Sequence, residues 1–288
     1  MTVEAAKAVG AAETAGTVES AKPVLVIGGT GKTGRRVAEL LTARGLPVRV
    51  GSRSATPPFV WDDPATWDAA LDGVGAVYVA YYPDLGMPGA AEAVGEFAHF
   101  AVGKGARRLV LLSSRGEEGA RITERALQDS GADWTILRAS WFFQNFSEAF
   151  FLDPVLSGEL VLPTGDATEP FVDTRDIAEV AVAALTDARH AGRVHELGGP
   201  RLLSFHDVAA ELSRATGREI RFTPVTDEEY RAYLAEHDQP AELADLLALV
   251  ADGRNAHLVD GVREVLGRAP RDFADFAREE AATGVWAV

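Results

Sequence analysis

Residues 24–36, VLVIGGTGKTGRR, constrain the fold more than any other part of the chain. The aliphatic run at the start predicts a buried strand, and the amphipathic stretch from Thr33 to Arg44 predicts a helix. The loop between them carries a lysine and well-spaced glycines. Loops of this kind hold phosphate groups, because their backbone N–H groups face the ligand at the start of a helix. The phosphate belongs either to a nucleoside triphosphate or to a dinucleotide.

The glycine spacing separates these two alternatives. A Walker A loop needs a glycine five positions before Gly31, and that position is Val26, inside the strand. Gly29, Gly31 and Gly34 instead match G-x-G-x-x-G, and Gly28, Gly31 and Gly34 match G-x-x-G-x-x-G, which is typical of dinucleotide sites. A tight strand–helix turn without a ligand is the alternative. The predicted cofactor contacts in this loop are Gly28, Thr30, Gly31, Lys32, Thr33 and Gly34.

The end of the next predicted strand, VRVGSRS, indicates which dinucleotide is bound. NAD sites place an acidic residue here for the ribose 2′-hydroxyl, and this chain has none. A guanidinium binds a 2′-phosphate, so we predict NADP(H) over NAD(H), with Arg53 as the main contact and Ser52 or Lys32 assisting. A solvated Arg53 is the alternative. Trp61 and Asp62 are predicted to flank the adenine, although Asp62 could equally cap the following helix.

Apolar runs and amphipathic stretches alternate from residue 23 to about residue 140. The runs are short, rich in β-branched residues and bounded by Gly, Pro or Asp, which predicts buried strands. They are PVLVIG, PVRVGS, PPFVW, GAVYVA, RRLVLLSS and DWTILRAS. Strands that alternate with helices predict an α/β fold, a Rossmann-type doubly wound parallel sheet that is covered on both faces.

The pattern changes after about residue 141. SWFFQNFSEAFFL is aromatic and irregular, whereas the beginning of TEPFVDTRDIAEVAVAALTD, GRVHELGG and REIRFTPV predict short strands. Helices are predicted from a cap at Thr174 or Asp176, and over 204–216. The predicted organisation is a flexible tail at 1–22, an NADP-binding domain at 23–145, and a smaller, mostly helical substrate lobe at 146–288, from which the chain can cross back into the first sheet.

Composition narrows the possible partners. The net charge is −15 with only four lysines, whereas nucleic-acid binding needs clustered basic residues, so we expect no nucleic acid. Cysteine is absent, which excludes disulfides and makes the cytoplasm the default location. No apolar run reaches the roughly 18 residues of a membrane helix, and the six histidines lack metal-ligand spacing, so neither membrane nor metal is expected. We expect a small-molecule substrate and a monomer or homodimer.

Three motifs join the glycine loop GGTGKTGRRV in resembling a known family: RRLVLLSS, DWTILRASWFFQNFSE and PFVDTRDIAEVA. With them, the chain resembles the NmrA-like branch of the atypical short-chain dehydrogenases/reductases. Within that group it is similar to the ergot-alkaloid-biosynthesis reductases, through FVWDDPATWDAAL, WFFQNFSE and LGGPRLLSFHDVAAELSRATGREI. The resemblance implies that VAYYPDL and LLSSRG line the nicotinamide and that SWFFQNF borders the substrate. The implied cofactor contacts are Ala80, Tyr81 and Ser113, and the implied substrate contacts are Tyr82, Trp141, Phe142, Phe143 and Asn145. Alternatively, these aromatic residues belong to the hydrophobic core and do not contact the substrate.

The chain departs from the wider superfamily in its proton donor. None of its five tyrosines is followed by lysine four residues later, so the Tyr-x-x-x-Lys pair is absent. Reduction of an iminium ion neutralises an existing charge and needs no strong acid, whereas quinones and conjugated carbonyls need a modest donor. Tyr82 and Ser114 are the predicted catalytic residues, although Ser114 could equally cap the next helix.

We therefore predict an NADPH-dependent reductase of a small, aromatic iminium, quinone or conjugated carbonyl metabolite, in secondary metabolism. The alternative is a non-catalytic, NADP-binding redox sensor that signals to a protein partner. A lyase or isomerase on the same scaffold is a third possibility.

Overall fold

The computed structural model describes residues 22–288, so nearly all of the predicted tail at 1–22 lies outside the described residues. The strands are β1 (Val24–Ile27), β2 (Val48–Gly51), β3 (Ala76–Val79), β4 (Arg108–Ser114), β5 (Asp133–Ala139), β6 (Glu159–Leu162), β7 (Thr168–Glu169), β8 (Arg193–Leu197), β9 (Leu203–Ser204) and β10 (Arg221–Pro224). The helices are α1 (Gly34–Ala43), α2 (Ala65–Leu71), α3 (Ala90–Gly103), α4 (Glu118–Gln128), α5 (Asn145–Glu148), α6 (Leu152–Ser157), α7 (Thr174–Thr186), α8 (Phe205–Thr216), α9 (Asp227–Glu236), α10 (Glu242–Ala251), α11 (Gly261–Leu266) and α12 (Phe273–Thr283).

Six parallel strands form the central sheet in the order β2-β1-β3-β4-β5-β8. Every residue of β1 is buried, because helices cover both faces. Leu25 and Ile27 belong to the core cluster that includes residues of α3 and α4, whereas Val24 and Val26 belong to the cluster formed with α1 and α7. The predicted doubly wound α/β fold is confirmed. The strand order reverses between β1 and β3, which is where ligands bind in open sheets of this kind.

Two local predictions are wrong. PPFVW, predicted as the third strand, is a loop whose Phe59 is buried against Phe97 of α3 and Trp61. Two adjacent prolines there remove the backbone donors that a central strand needs. Asp62 does not cap α2, since the carboxylate that accepts the N–H of Ala65 belongs to Asp63.

A second core lies beyond the carboxyl ends of the first strands. There β6 pairs with β10 and β7 with β9, around aromatic side chains that include Phe146, Phe205 and Phe276. The chain crosses back between these elements, because α7 packs on α1 and β8 extends the central sheet beside β5. The N-cap of α7 is Asp173, rather than the predicted Thr174 or Asp176. In the part of the chain described, no helix combines the length and apolarity needed to cross a bilayer.

Candidate functional site

The glycine loop after β1 folds so tightly that side chains would block it. Gly28 has a φ of +69°, in the left-handed region that favours glycine. A Cβ at position 34 would overlap the carbonyl oxygen of Gly28 and lie 2.9 Å from the Cα of Gly29. The start of α1 is therefore pressed onto the loop, and the Gly31 N–H donates to the Gly28 carbonyl at 2.9 Å. These are the roles that the glycine spacing predicts.

The same loop presents free backbone donors. Within residues 22–288, the N–H groups of Thr30, Lys32 and Thr33 donate to no acceptor, and Thr30 and Gly31 are exposed. Thr33 occupies the N-cap of α1 without making a side-chain capping bond. The ten-residue helix behind these amides adds the positive end of its dipole. The cradle fits the pyrophosphate of a dinucleotide, because it offers close backbone approach and unpaired donors together.

On the β2 side of the loop, hydroxyl groups line an open cavity of about 540 Å³. Thr30, Ser52 and Ser54 contribute to its wall, and the hydroxyls of Ser52 and Ser54 lie 3.3 Å apart. Arg53 is exposed and forms no salt bridge with any described residue. An unpaired guanidinium beside hydroxyl donors has the chemistry to bind a phosphate. The assignment of Arg53 and Ser52 to the 2′-phosphate stays a prediction.

The segment after β3 passes beside the glycine loop. A Cβ at position 28 would lie 3.1 Å from the Cβ of Ala80, so Ala80 lies beside the cradle, and its contact with the cofactor stays a prediction. Tyr81 is half-buried and its ring lies 5.0 Å from that of Trp61, while the predicted adenine contact Asp62 is exposed. Tyr82 points the other way and is 75% exposed. Of this tyrosine pair, only Tyr81 packs against the protein.

Lys32 makes a contact that the sequence did not reveal. Its Nζ donates to Oδ1 of Asn145 at 2.8 Å and lies 5.8 Å and 5.2 Å from the ring centres of Phe142 and Phe150. Burial is the main cause that lowers the pKa of Lys32 to about 8, while the charge of Glu148 opposes this shift. The ammonium group is thus committed to the substrate-side segment, instead of assisting Arg53.

Two arginines of α1 reinforce this junction. Arg35 and Arg36 each donate to one carboxylate oxygen of Glu148, and Arg36 also donates to the Lys32 carbonyl at 2.7 Å. The NFSE stretch therefore connects to the cofactor loop through both Asn145 and Glu148. The sequence predicted a substrate role for Asn145; the structure shows that its side-chain oxygen already accepts a bond from the loop lysine.

The three aromatic residues after β5 have separate environments. Trp141 is half-buried and stacks on Phe151 at 5.8 Å, and Phe142 is half-buried with a bridge to Val172. Phe143 is only 1% exposed, within the second core, where its ring lies 5.0 Å from that of Phe273. We therefore remove Phe143 from the predicted substrate wall, because it belongs to the core. Consecutive side chains diverge here, which a run of aromatic letters cannot show.

The two serines at the end of β4 point in opposite directions. Ser113 is buried and its hydroxyl donates to Glu124 at 2.6 Å, in a network with Arg138. That bond occupies the hydroxyl that was predicted to contact the cofactor. Ser114 donates instead to the Glu117 carboxylate, which the sequence analysis did not single out. The sequence shows a glutamate three residues after a serine at a strand end, which could have indicated this contact. An acidic residue at that position is equally typical of the first turn of a helix, where it interacts with the helix dipole.

A buried carboxyl group, that of Glu169, and a buried guanidinium group, that of Arg115, lie above the end of β5. Glu169 is 1% exposed, and neither of its carboxylate oxygens has a hydrogen-bond partner among residues 22–288. Burial raises its pKa to about 7, although the charge of Arg115 acts in the opposite direction. Arg115 is itself buried and donates to Ser140 at 2.9 Å.

No group of three or more His, Asp or Glu side chains within the described chain could hold a metal ion.

Comparison with known proteins places this geometry in a family. No protein-family model matches the chain. It is 34% identical to agroclavine dehydrogenase from Claviceps fusiformis, over 91% of this chain and 98% of that protein. It is 32% identical to the NAD(P)H azoreductase of Xenophilus azovorans, over 90% of this chain and 98% of that protein.

The fold is similar to a solved structure of lower sequence identity. The NADPH-dependent quinone oxidoreductase QOR2 from Escherichia coli, in complex with NADPH, superposes with a TM-score of 0.72 at 21% identity, over 89% of this chain and 99% of that one. That likeness concerns the fold alone, and the sequence relatives carry the family assignment. The chain belongs to the family of the ergot-alkaloid-type reductases that includes agroclavine dehydrogenase.

Proposed function

We propose that the protein is an NADPH-dependent reductase that transfers a hydride to a small, aromatic acceptor: an iminium ion, a quinone or a conjugated carbonyl. The observation that carries this proposal is the glycine cradle after β1, where Gly34 packs onto Gly28 and the Thr30, Lys32 and Thr33 amides find no acceptor among residues 22–288. Such a cradle at a strand-order reversal holds a dinucleotide pyrophosphate.

The residues around the cradle support a site with an adenosine side, at the end of β2, and a nicotinamide side, at the end of β3. When bound, NADPH supplies the hydride. Arg53 and Ser52, at the end of β2, would hold its 2′-phosphate, since no acidic residue stands there to repel it. Ala80 and Tyr81, at the end of β3, would border the nicotinamide half of NADPH.

The acceptor would lie against the half-buried rings of Tyr81, Trp141 and Phe142. Flat aromatic surfaces suit planar acceptors, and they also stabilise a cation through the ring faces. The names of similar proteins support a reduction of this kind: one is an NAD(P)H azoreductase, one an NADPH-dependent quinone oxidoreductase and one a dehydrogenase of agroclavine.

The test combines binding with turnover. Calorimetry would compare NADPH and NADH on the wild type and on Arg53→Ala, with the exposed Arg44→Ala on the far end of α1 as a matched control. We expect Arg53→Ala to weaken NADPH binding about tenfold or more and to leave NADH binding unchanged, because a charge-assisted bond to the 2′-phosphate contributes roughly 1.5–3 kcal/mol. NADPH oxidation would then be followed with quinones, cyclic iminium ions and enals.

Two results would contradict the proposal. Equal affinity for both dinucleotides in the wild type and in Arg53→Ala would refute the NADP preference. Tight NADP⁺ binding without oxidation of NADPH by any acceptor class, together with a protein that co-purifies, would favour the redox sensor instead.

A further inference from the structure

The loops after β3 and β4 meet around one carboxyl group, that of Glu117. The Ser114 hydroxyl, at the last residue of β4, hydrogen-bonds to its Oε2. Glu117 is half-buried, and no Lys, Arg or His side chain of residues 22–288 pairs with it. Since β3 and β4 are neighbours in the sheet, this group lies at the carboxyl end where the nicotinamide half of the cofactor is expected.

Close packing fixes the Glu117 carboxyl in this place. A Cβ at position 86 would overlap the Glu117 carboxyl, so glycine at 86 makes the room that this group occupies. A Cβ at position 119 would overlap the carbonyl oxygen of Gly86, so the two loops touch through their backbones. Thr123 of α4 donates to the Leu85 carbonyl at 2.8 Å and holds the first loop down.

The surroundings of Glu117 favour its protonated form near neutral pH. Burial is the largest cause, and the Asp84 carboxylate on the β3 side adds a like charge; together they raise the pKa of Glu117 to about 7 although the Ser114 hydrogen bond acts to lower it. Arg254, which reaches the same loop from residues 252–254, is held by the Gly116 carbonyl and by Asp252.

We propose that Glu117, acting through the Ser114 hydroxyl, supplies the proton that accompanies hydride transfer, and that the acceptor is therefore a neutral quinone or conjugated carbonyl. This inference rests on the proposed function and makes its substrate class narrower. A cationic iminium ion becomes neutral when it takes up a hydride, so it does not need a fixed proton source. A neutral acceptor builds negative charge on oxygen and does need one.

Protons and electrons balance in this step. The hydride brings two electrons and forms a C–H or O–H bond on the acceptor, and the dinucleotide is oxidised by the same two electrons. The Ser114 hydroxyl, which donates to Glu117 in the resting structure, turns to the acceptor oxygen and gives it its proton. The Glu117 carboxyl then gives its own proton to the Ser114 oxygen. Serine ends the step as a hydroxyl and Glu117 as a carboxylate, which takes up a proton from water before the next cycle.

The test compares Glu117→Gln with the matched variant Glu118→Gln, which changes the exposed neighbouring carboxyl. NADPH oxidation would be measured across pH with a quinone and with a quaternary, N-alkylated cyclic iminium ion, whose charge does not depend on pH. We expect kcat with the quinone to fall about 10²–10⁴-fold in Glu117→Gln, and its alkaline decline above about pH 7 to disappear. Turnover of the iminium ion and the Kd for NADPH should not change, nor should any of these values in Glu118→Gln.

Two further readouts separate proton supply from a structural role. Infrared difference spectra of the protein alone should show protonated carboxyls that titrate near pH 7; the Glu117 signal should be absent from Glu117→Gln, whereas the Glu169 signal should remain there and be absent from Glu169→Gln. Asp84→Asn should move the alkaline decline of quinone turnover to lower pH, because it removes the like charge that favours the protonated form. This variant keeps the proposal testable even if Glu117→Gln fails to fold.

The inference is overturned if the wild type reduces quinones while Glu117→Gln has the same kcat and pH profile. It is also overturned if quinone and iminium turnover fall equally in Glu117→Gln, since that pattern indicates a general loss of structure. If the wild type fails to oxidise NADPH with every acceptor tried, the proposed function is refuted, and this inference is refuted with it.

Discussion

Replacing Glu169 by glutamine tests how the buried charge of the second core affects stability. The carboxyl group is 1% exposed and has no hydrogen-bond partner among the described residues. Burial raises its pKa from 4.5 to about 7 against the opposing charge of Arg115, so the folded protein holds this proton more tightly than the unfolded chain does. The stability that the raised pKa provides is therefore complete below about pH 4.5 and is lost as the pH rises through about 7.

The size of the effect follows from the two pKa values. Each pKa unit corresponds to about 1.4 kcal/mol, so the difference between 4.5 and about 7 gives on the order of 3 kcal/mol. Glutamine at position 169 has nearly the same shape and does not titrate. We expect the free energy of unfolding of Glu169→Gln, relative to wild type, to increase by on the order of 3 kcal/mol between about pH 4.5 and about pH 8.

Urea unfolding at several pH values, followed by fluorescence and far-UV circular dichroism, would measure this difference. Glu39→Gln, at an exposed position on α1, is the matched control and should show no such trend. The reasoning is refuted if the difference between Glu169→Gln and wild type stays constant over this range. A decrease in that difference toward alkaline pH would show that the Glu169 carboxylate is paired favourably with Arg115.

Three more variants test other parts of the structure. Gly34→Ala places a Cβ against the Gly28 carbonyl, so NADPH affinity by calorimetry should drop at least about tenfold; unchanged binding would disprove the cradle. Lys32→Met leaves the buried Asn145 oxygen without its donor and should lower the free energy of unfolding by about 1–3 kcal/mol in urea, whereas an unchanged midpoint would show the bond to be dispensable. Phe143→Ala should cost about 3–5 kcal/mol in the same assay, because it empties a filled core site; a loss of acceptor affinity with intact stability would return Phe143 to the substrate wall.

The sequence determined the parts of this protein that depend on local spacing. Glycines at 28, 31 and 34 permit a close backbone turn, and their place between a predicted strand and a predicted helix allowed the cradle to be predicted; its geometry agrees. The alternation of apolar runs and amphipathic stretches likewise determined the doubly wound sheet, because a strand buried on both faces needs helices on both sides. The missing Tyr-x-x-x-Lys pair could also be read directly.

Tertiary structure alone decided which side chains meet. Lys32 and Asn145 are 113 residues apart, and their contact exists only because α5 packs beside the cofactor loop. Phe142 and Phe143 are adjacent phenylalanines, yet Phe143 is fully buried in the core whereas Phe142 is half-buried. The backbone directs these neighbouring side chains into different surroundings. Glu117 became a candidate because burial and Asp84 act on it through space. Backbone conformation follows from neighbours in sequence, whereas burial, charge and pKa follow from neighbours in the folded chain.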